Sequence, residues 1–213
     1  MDYLRVVFNT FYLTVISVIG IIVVSSLAGY KLAKTSGKLS SFIFLLFTSS
    51  MLVPFQSIML PLYKLAKVIG LSGTKTGLTV IYMALGINLA IFLYQGFSKG
   101  IPTELEEAAL IDGCNQLQMF YKIIFPLLKP ITATIAILDV LWIWNDFLLP
   151  LVMISDTNNY TIVLKAKMFV SEYSIDWPSI LAALVCSMIP VIIFYAIFQK
   201  NIVKGIAAGA VKG

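Results

Sequence analysis

Histidine is absent from all 213 residues, cysteine occurs only twice, and charged side chains make up just 12% of the chain. Without histidine there is no imidazole metal site, no Ser-His triad and no imidazole proton relay. Two thiols, Cys114 and Cys186, cannot build a disulfide framework or a four-thiolate zinc site. No run of the form G-x-x-x-x-G-K-[ST] is present. The nearest fragment, Ser36-Gly37-Lys38-Leu39, lacks both the loop and the hydroxyl, so any ATP-driven work needs an ATP site on another chain. No cofactor or metal pattern is present either. The scarcity of charge excludes most soluble folds, which carry roughly 25% charged residues. The net charge of +5 fits lysines at lipid headgroups, not a nucleic-acid surface.

What is abundant is apolar: 60% of residues are hydrophobic and the mean hydropathy is +0.96. A chain of this size has too little interior to hide that surface from water. It reads as an all-α, polytopic membrane protein of five spans, a single transmembrane domain over 1–213. Val6–Tyr30 and Leu39–Tyr63 are 25 residues each without a charge, and Thr76–Ser98 is 23. Pro130–Ser155 is 26 residues with only Asp139 and Asp146 charged, and Trp177–Gln199 adds 23. At about 1.5 Å per residue, 23 residues reach roughly 35 Å, enough for a hydrocarbon core of about 30 Å. Barrel strands would be far shorter and alternating. The first run is too long for a signal-peptide core and lacks a basic leader.

Pro54 and Pro61 interrupt the second run. The expectation is a span from Ser40 to Val53, extending somewhat past the first proline, then a short interfacial helix from Pro61 to Val68 closed by Gly70. With the C-terminus inside, nine lysines fall on inner loops (31, 34, 38, 99, 122, 129, 200, 204 and 212) and six basic residues outside. The positive-inside rule favours that orientation by this small margin.

The loop from Lys99 to Lys129 holds four of the ten acids: Glu104, Glu106, Glu107 and Asp112. Thr103 and Glu106 have the spacing of a capping box, and the acids of that turn complement the helix dipole. Gly113 is a natural left-handed stop. Asn115-Gln116-Leu117-Gln118 is a second box, opening a helix that runs toward Pro126. Two short capped helices meeting at a glycine make a protruding knob; an amphipathic loop lying on the headgroups is the plainer alternative.

Inside the membrane, a carboxylate costs at least about 2.5 kcal/mol. Asp139 and Asp146, seven apart, fall near one helical face with Trp142 and Asn145 beside them. Such a set could line a substrate path, with an aromatic face and hydrogen-bonding groups. The plainer reading, which is favoured, puts Asn145 and Asp146 at the outer helix end, meeting water or a partner chain. Asn88 and Gln95, also seven apart, read as helix-packing hydrogen bonds. Cys186 reads as a small core residue, and Cys114 has no redox role.

Glu107-Ala108-Ala109-Leu110-Ile111-Asp112-Gly113, then nine residues, then Ile123-Ile124-Phe125-Pro126, resembles the EAA loop of binding-protein-dependent ABC importer permeases, with Phe125 replacing the usual leucine. Leu60-Pro61-Leu62-Tyr63, Gly70-Leu71, Thr74, Trp144-Asn145-x-Phe147 and the terminal Ala210-Val211-Lys212-Gly213 are similar to the carbohydrate-type branch, above all the second permease subunit of maltose-type and multiple-sugar importers. That resemblance implies an extracytoplasmic sugar-binding protein, a second permease subunit and an ATP-binding ABC dimer as partners. It implies that Glu107 pairs with a basic residue of the ATPase, that Ala108 and Ala109 permit close docking, and that Gly113 makes the turn, with Asp112 and Pro126 in the same motif. It also implies that the tail, Gly209, Ala210, Val211, Lys212 and Gly213, reaches along the ATPase, and that the knob (99–129) and the tail (200–213) are cytoplasmic. A permease for another solute, such as a polyamine or phosphate, would share the knob. A secondary transporter would need ionisable residues in several spans. The family usually has a further span before the segment near Asn9; its lack here reads either as a truncated form or as a member without that span.

Overall fold

The computed structural model describes residues 3–169 and 177–210, the side chains of Met168 and of 197–210 excepted. Among the described residues the chain is helical and carries no strand. The apolar runs become α1 (Tyr3–Lys34), α2 (Lys38–Ser50), α3 (Phe55–Val68), α4 (Lys75–Ser98), α8 (Lys129–Asn145) and α11 (Trp177–Ala210). The loop helices are α5 (Glu104–Ile111), α6 (Gln116–Met119), α7 (Phe125–Leu127), α9 (Leu148–Met153) and α10 (Ile162–Ala166). Tyr3–Lys34, Lys75–Ser98 and Trp177–Ala196 are long and apolar enough to cross a bilayer, and counting two broken helix pairs as one span each gives five.

Three boundaries differ from expectation. The helix expected to open at Pro61 opens at Phe55: Pro54, with φ −60° and ψ 132°, takes the N-cap position. A proline is well suited to that place because its fixed φ and missing N–H cost nothing there. Pro61 lies inside α3, on an exposed face. The fourth run does not continue to Ser155: α8 ends at Asn145 after 17 residues, and α9 starts afresh at Leu148. The break is held by Asp146, whose Oδ1 accepts the Leu148 N–H at 3.0 Å. At the C-terminal end the backbone of α11 stays helical beyond Gln199, where the apolar run ends, to Ala210.

Packing resolves two compact units, one of Met1–Ile19, Pro54–Ala84 and Leu138–Phe198, the other of Gly20–Val53, Leu85–Ile137 and Gln199–Gly213. In the first, a buried polar clamp gathers the loop after α9 onto the start of α1. Asn9 is 1% exposed. Its Nδ2 donates to the carbonyls of Asn158 (2.8 Å) and Tyr160 (3.1 Å), while its Oδ1 accepts from Lys75 Nζ at 3.0 Å. Thr10 Oγ1 accepts the N–H of Ile162 at 2.9 Å. These bonds satisfy backbone groups of an irregular segment that a membrane protein cannot leave bare. Trp144 Nε1 donates to the Ser187 carbonyl at 3.1 Å, joining α8 to α11.

In the second unit, α1 and α4 approach closely at Gly29. A Cβ there would stand 2.6 Å from Tyr94 Cβ, so the glycine is what permits the contact, in the manner of small residues at membrane helix interfaces. Tyr94 Oη in turn donates to Thr132 Oγ1 at 2.9 Å, linking α4 to α8.

Candidate coupling site

The knob is built from α5, a glycine turn and α6. Its second capping box forms as the spacing requires: Asn115 Oδ1 accepts the Gln118 N–H at 2.9 Å, and Gln118 Oε1 accepts the Asn115 N–H at 3.0 Å. Between the arms, Gly113 has φ +80°. Its N–H donates to the Leu110 carbonyl and that of Cys114 to the Ala109 carbonyl. This paired pattern ends α5 as a Schellman motif and needs a left-handed residue.

The first capping box does not form. Thr103 is helical at φ −70° and ψ −24° and makes no side-chain cap. A distant partner takes Glu106 instead: its Oε1 lies 2.7 Å from Lys34 Nζ, with the two side chains only 20% and 14% exposed. Lys34 also donates to the Ile101 carbonyl at 2.7 Å. One turn earlier on α1, Tyr30 sets its ring 5.5 Å from Phe120, beyond α6. Residues four apart share a helix face, so the last turns of α1 hold both arms of the knob. Between them lies a groove of about 280 Å³ bordered by Leu27, Lys31, Leu117 and Met119.

The helix expected to run on to Pro126 does so with a defect. Phe120–Ile124 is a π-turn, in which the Phe125 N–H donates to the Phe120 carbonyl. Pro126 has no N–H to offer the regular ladder, and a π-turn is a common way for a helix to absorb such an interruption. Pro126 itself is exposed.

The knob divides its motif residues between two surfaces. Glu107, Ala108, Asp112 and Gly113 are exposed, and with them Leu110 (54%) and Ile111 (86%). Ala109 is 2% exposed: it packs into its own chain, while Ala108 stays on the surface. Leu110 and Ile111 are surface members that motif reading passed over, although two adjacent apolar residues one position short of a stop glycine are the signal that marks them. Of the tail, Gly209 and Ala210 end α11, while Val211, Lys212 and Gly213 lie outside the described residues.

The intramembrane set is only partly brought together. Trp142 meets the Tyr82 ring edge-on at 5.6 Å, and Tyr82 Oη donates to Asp146 Oδ2 at 2.9 Å. Tyr82, fully buried, is a member that sequence reasoning missed. Asn145 turns back, its Nδ2 donating to the Leu141 carbonyl at 2.7 Å. Asp139 is 4% exposed, and its Oδ2 makes no hydrogen bond among the described residues. Asp146 thus caps the Leu148 N–H at the break with one oxygen and takes the Tyr82 hydroxyl on the other. Among the described residues no group of three His, Cys, Asp or Glu is placed to hold a metal.

Continuous and broken apolar helices joined by a capped knob are the architecture of a polytopic α-helical membrane protein. The chain belongs to the family described as binding-protein-dependent transport system inner membrane component, whose model matches residues 18–208. It is 44% identical over 205 residues to a probable starch degradation products transport system permease protein, AmyC, of Thermoanaerobacterium thermosulfurigenes, covering 96% of this chain and 74% of the relative. It is 36% identical over 208 residues to the multiple sugar-binding transport system permease protein MsmG of Streptococcus mutans, covering 96% and 75%. Among solved structures, a bacterial ABC transporter involved in alginate import superposes with a TM-score of 0.82 at 23% identity, over 93% of this chain and 74% of that one. The methionine ABC transporter MetNI, in an inward-facing conformation, does so at 0.70 and 17%, over 95% of each. These two likenesses establish the fold.

Proposed function

We propose that the chain is a permease subunit of an ATP-driven sugar importer, coupled to an ATP-binding dimer through the knob. The observation that carries the reading is the knob's outer surface: Glu107, Ala108, Leu110, Ile111 and Asp112 stand exposed on one short helix ended by a left-handed glycine. An apolar pair with a carboxylate beside it is costly to leave in water and well suited to a cleft with a basic rim. In this reading the knob and the C-terminal tail are cytoplasmic, and Glu107 pairs with a basic group of the ATPase. A second permease subunit completes the path, and an extracytoplasmic sugar-binding protein delivers the solute. The carbohydrate assignment follows the relatives named for starch products and multiple sugars. Closure of the ATPase dimer shifts the population between inward- and outward-open forms because the knob is bound differently in each.

The test is Glu107→Lys. Residue 107 is exposed, so the variant inserts normally. Oligosaccharide uptake into vesicles carrying the whole complex falls at least about tenfold, the loss of one charge-assisted contact and its replacement by repulsion. Uptake at the wild-type rate, with normal insertion, contradicts the proposal.

A further inference from the structure

A second cavity, of about 410 Å³, lies where the end of α1, the start of α2 and the end of α4 meet. Its polar side is formed by Thr35, Ser41, Gln95 and Lys99, its apolar side by Phe44 and Leu45 among others, and no carboxylate lines it. The Gln95 side chain, expected to make a packing hydrogen bond, makes none among the described residues although the residue is 7% exposed. Its amide borders the cavity instead, one turn before Lys99 on the same face of α4. The Lys99 ammonium has no acid partner among the described residues and sits 6.0 Å from the centre of the Phe44 ring. The first turn of α2 is capped by no side chain, its N-cap being Gly37. Lys31 and Lys38, both exposed, add positive charge at the same helix ends. Outside the cavity α2 continues as an apolar face: Leu39 is 72% exposed, Phe42 61% and Leu46 54%.

Donors without acids on one wall and a hydrocarbon track leading away along the helix describe an anionic amphiphile. Basic pockets between membrane helices are known to take phospholipid headgroups. We infer that this cavity holds one anionic phospholipid, its phosphate between Lys99, Gln95, Ser41 and Thr35 and its acyl chains along Leu39, Phe42 and Leu46. The inference rests on the chain's place in a membrane and not on docking of the knob, so either can fail without the other.

The experiment is native mass spectrometry of the assembled complex, purified in mild detergent and supplied with phosphatidylglycerol or phosphatidylcholine. The expected result is one phosphatidylglycerol retained per chain and no phosphatidylcholine. Lys99→Ala and Gln95→Leu each lower retention roughly five- to tenfold. Residue 99 is exposed and leucine is a comfortable replacement in a membrane helix, so both variants fold. Equal retention of the two lipids, or unchanged retention in both variants, overturns the inference. Displacement of the lipid by millimolar inorganic phosphate would assign the site to a free anion and also overturn it. Absence of lipid from the complex with retention by the isolated chain would mean that the second permease fills the cavity, and overturns it as well.

Discussion

Replacing Lys34 by methionine removes two contacts at once while keeping an apolar stem of similar length. The ammonium lies 2.7 Å from Glu106 Oε1 and donates to the Ile101 carbonyl at 2.7 Å. Losing a hydrogen bond to a carbonyl costs about 1 kcal/mol, and leaving a partly buried carboxylate unpaired adds about 1–3. Both side chains are less than a quarter exposed, so solvent screening does not erase the pair as it would at a free surface. The sum, about 2–4 kcal/mol, falls on the attachment of α5 to α1 and not on the whole chain. Glu106→Gln keeps a neutral acceptor for Lys34 and leaves the Ile101 bond intact, so it costs only about 1 kcal/mol. Hydrogen–deuterium exchange of peptides covering residues 100–114 reads the difference, because local opening sets the exchange rate. Lys34→Met accelerates exchange there by roughly 30- to 1000-fold, and Glu106→Gln by about tenfold or less. Exchange in Lys34→Met within about twofold of wild type, or an effect of Glu106→Gln equal to that of Lys34→Met, would refute the reasoning.

Two further substitutions test the packing. Gly29→Val forces a side chain into Tyr94, where even a Cβ would stand at 2.6 Å. It lowers thermal stability in detergent by about 1–3 kcal/mol, whereas Gly96→Val, with nothing within 4 Å of its Cβ position, does not. Asn9→Leu strips the Asn158 and Tyr160 carbonyls and Lys75 of their partner together. It speeds proteolysis between residues 154 and 169 by roughly tenfold or more, from about 1.4 kcal/mol or more of lost local stability; an unchanged cleavage rate would show that the clamp is dispensable.

The knob was legible because its signals are local. Asn115 and Gln118 are three residues apart, and Gly113 needs only its own backbone to end α5. The box at Thr103 failed because Lys34, 72 residues earlier than Glu106, offers a charged partner at 2.7 Å, and sequence spacing carries no record of such a competitor. Run lengths located the apolar helices but not their ends. Pro54 and Pro61 are the same residue type in the same run, yet one caps α3 and the other lies within it. The hydropathy of the fourth run continued past Asn145, while the backbone turned where the Asp146 carboxylate captured an N–H. Tyr82 and the Asn9 clamp were hidden for a simpler reason. Their partners lie 64 and about 150 residues away, and an aromatic or an amide in an apolar run looks like packing until its partner is known.

The central claim, that this chain works as a permease subunit moved by a separate ATPase through the knob, is tested most directly by what travels with it. The tagged chain is extracted from its own host in mild detergent and its companions are identified by mass spectrometry, beside the same extraction of Ile111→Asp, which places a charge on the most exposed apolar residue of the knob, 86% accessible. The account predicts an ATP-binding subunit and a second permease with the wild-type chain, and loss of the ATP-binding subunit with the permease retained for the variant. Recovery of the ATP-binding subunit at equal yield with both chains, or with neither, would contradict it.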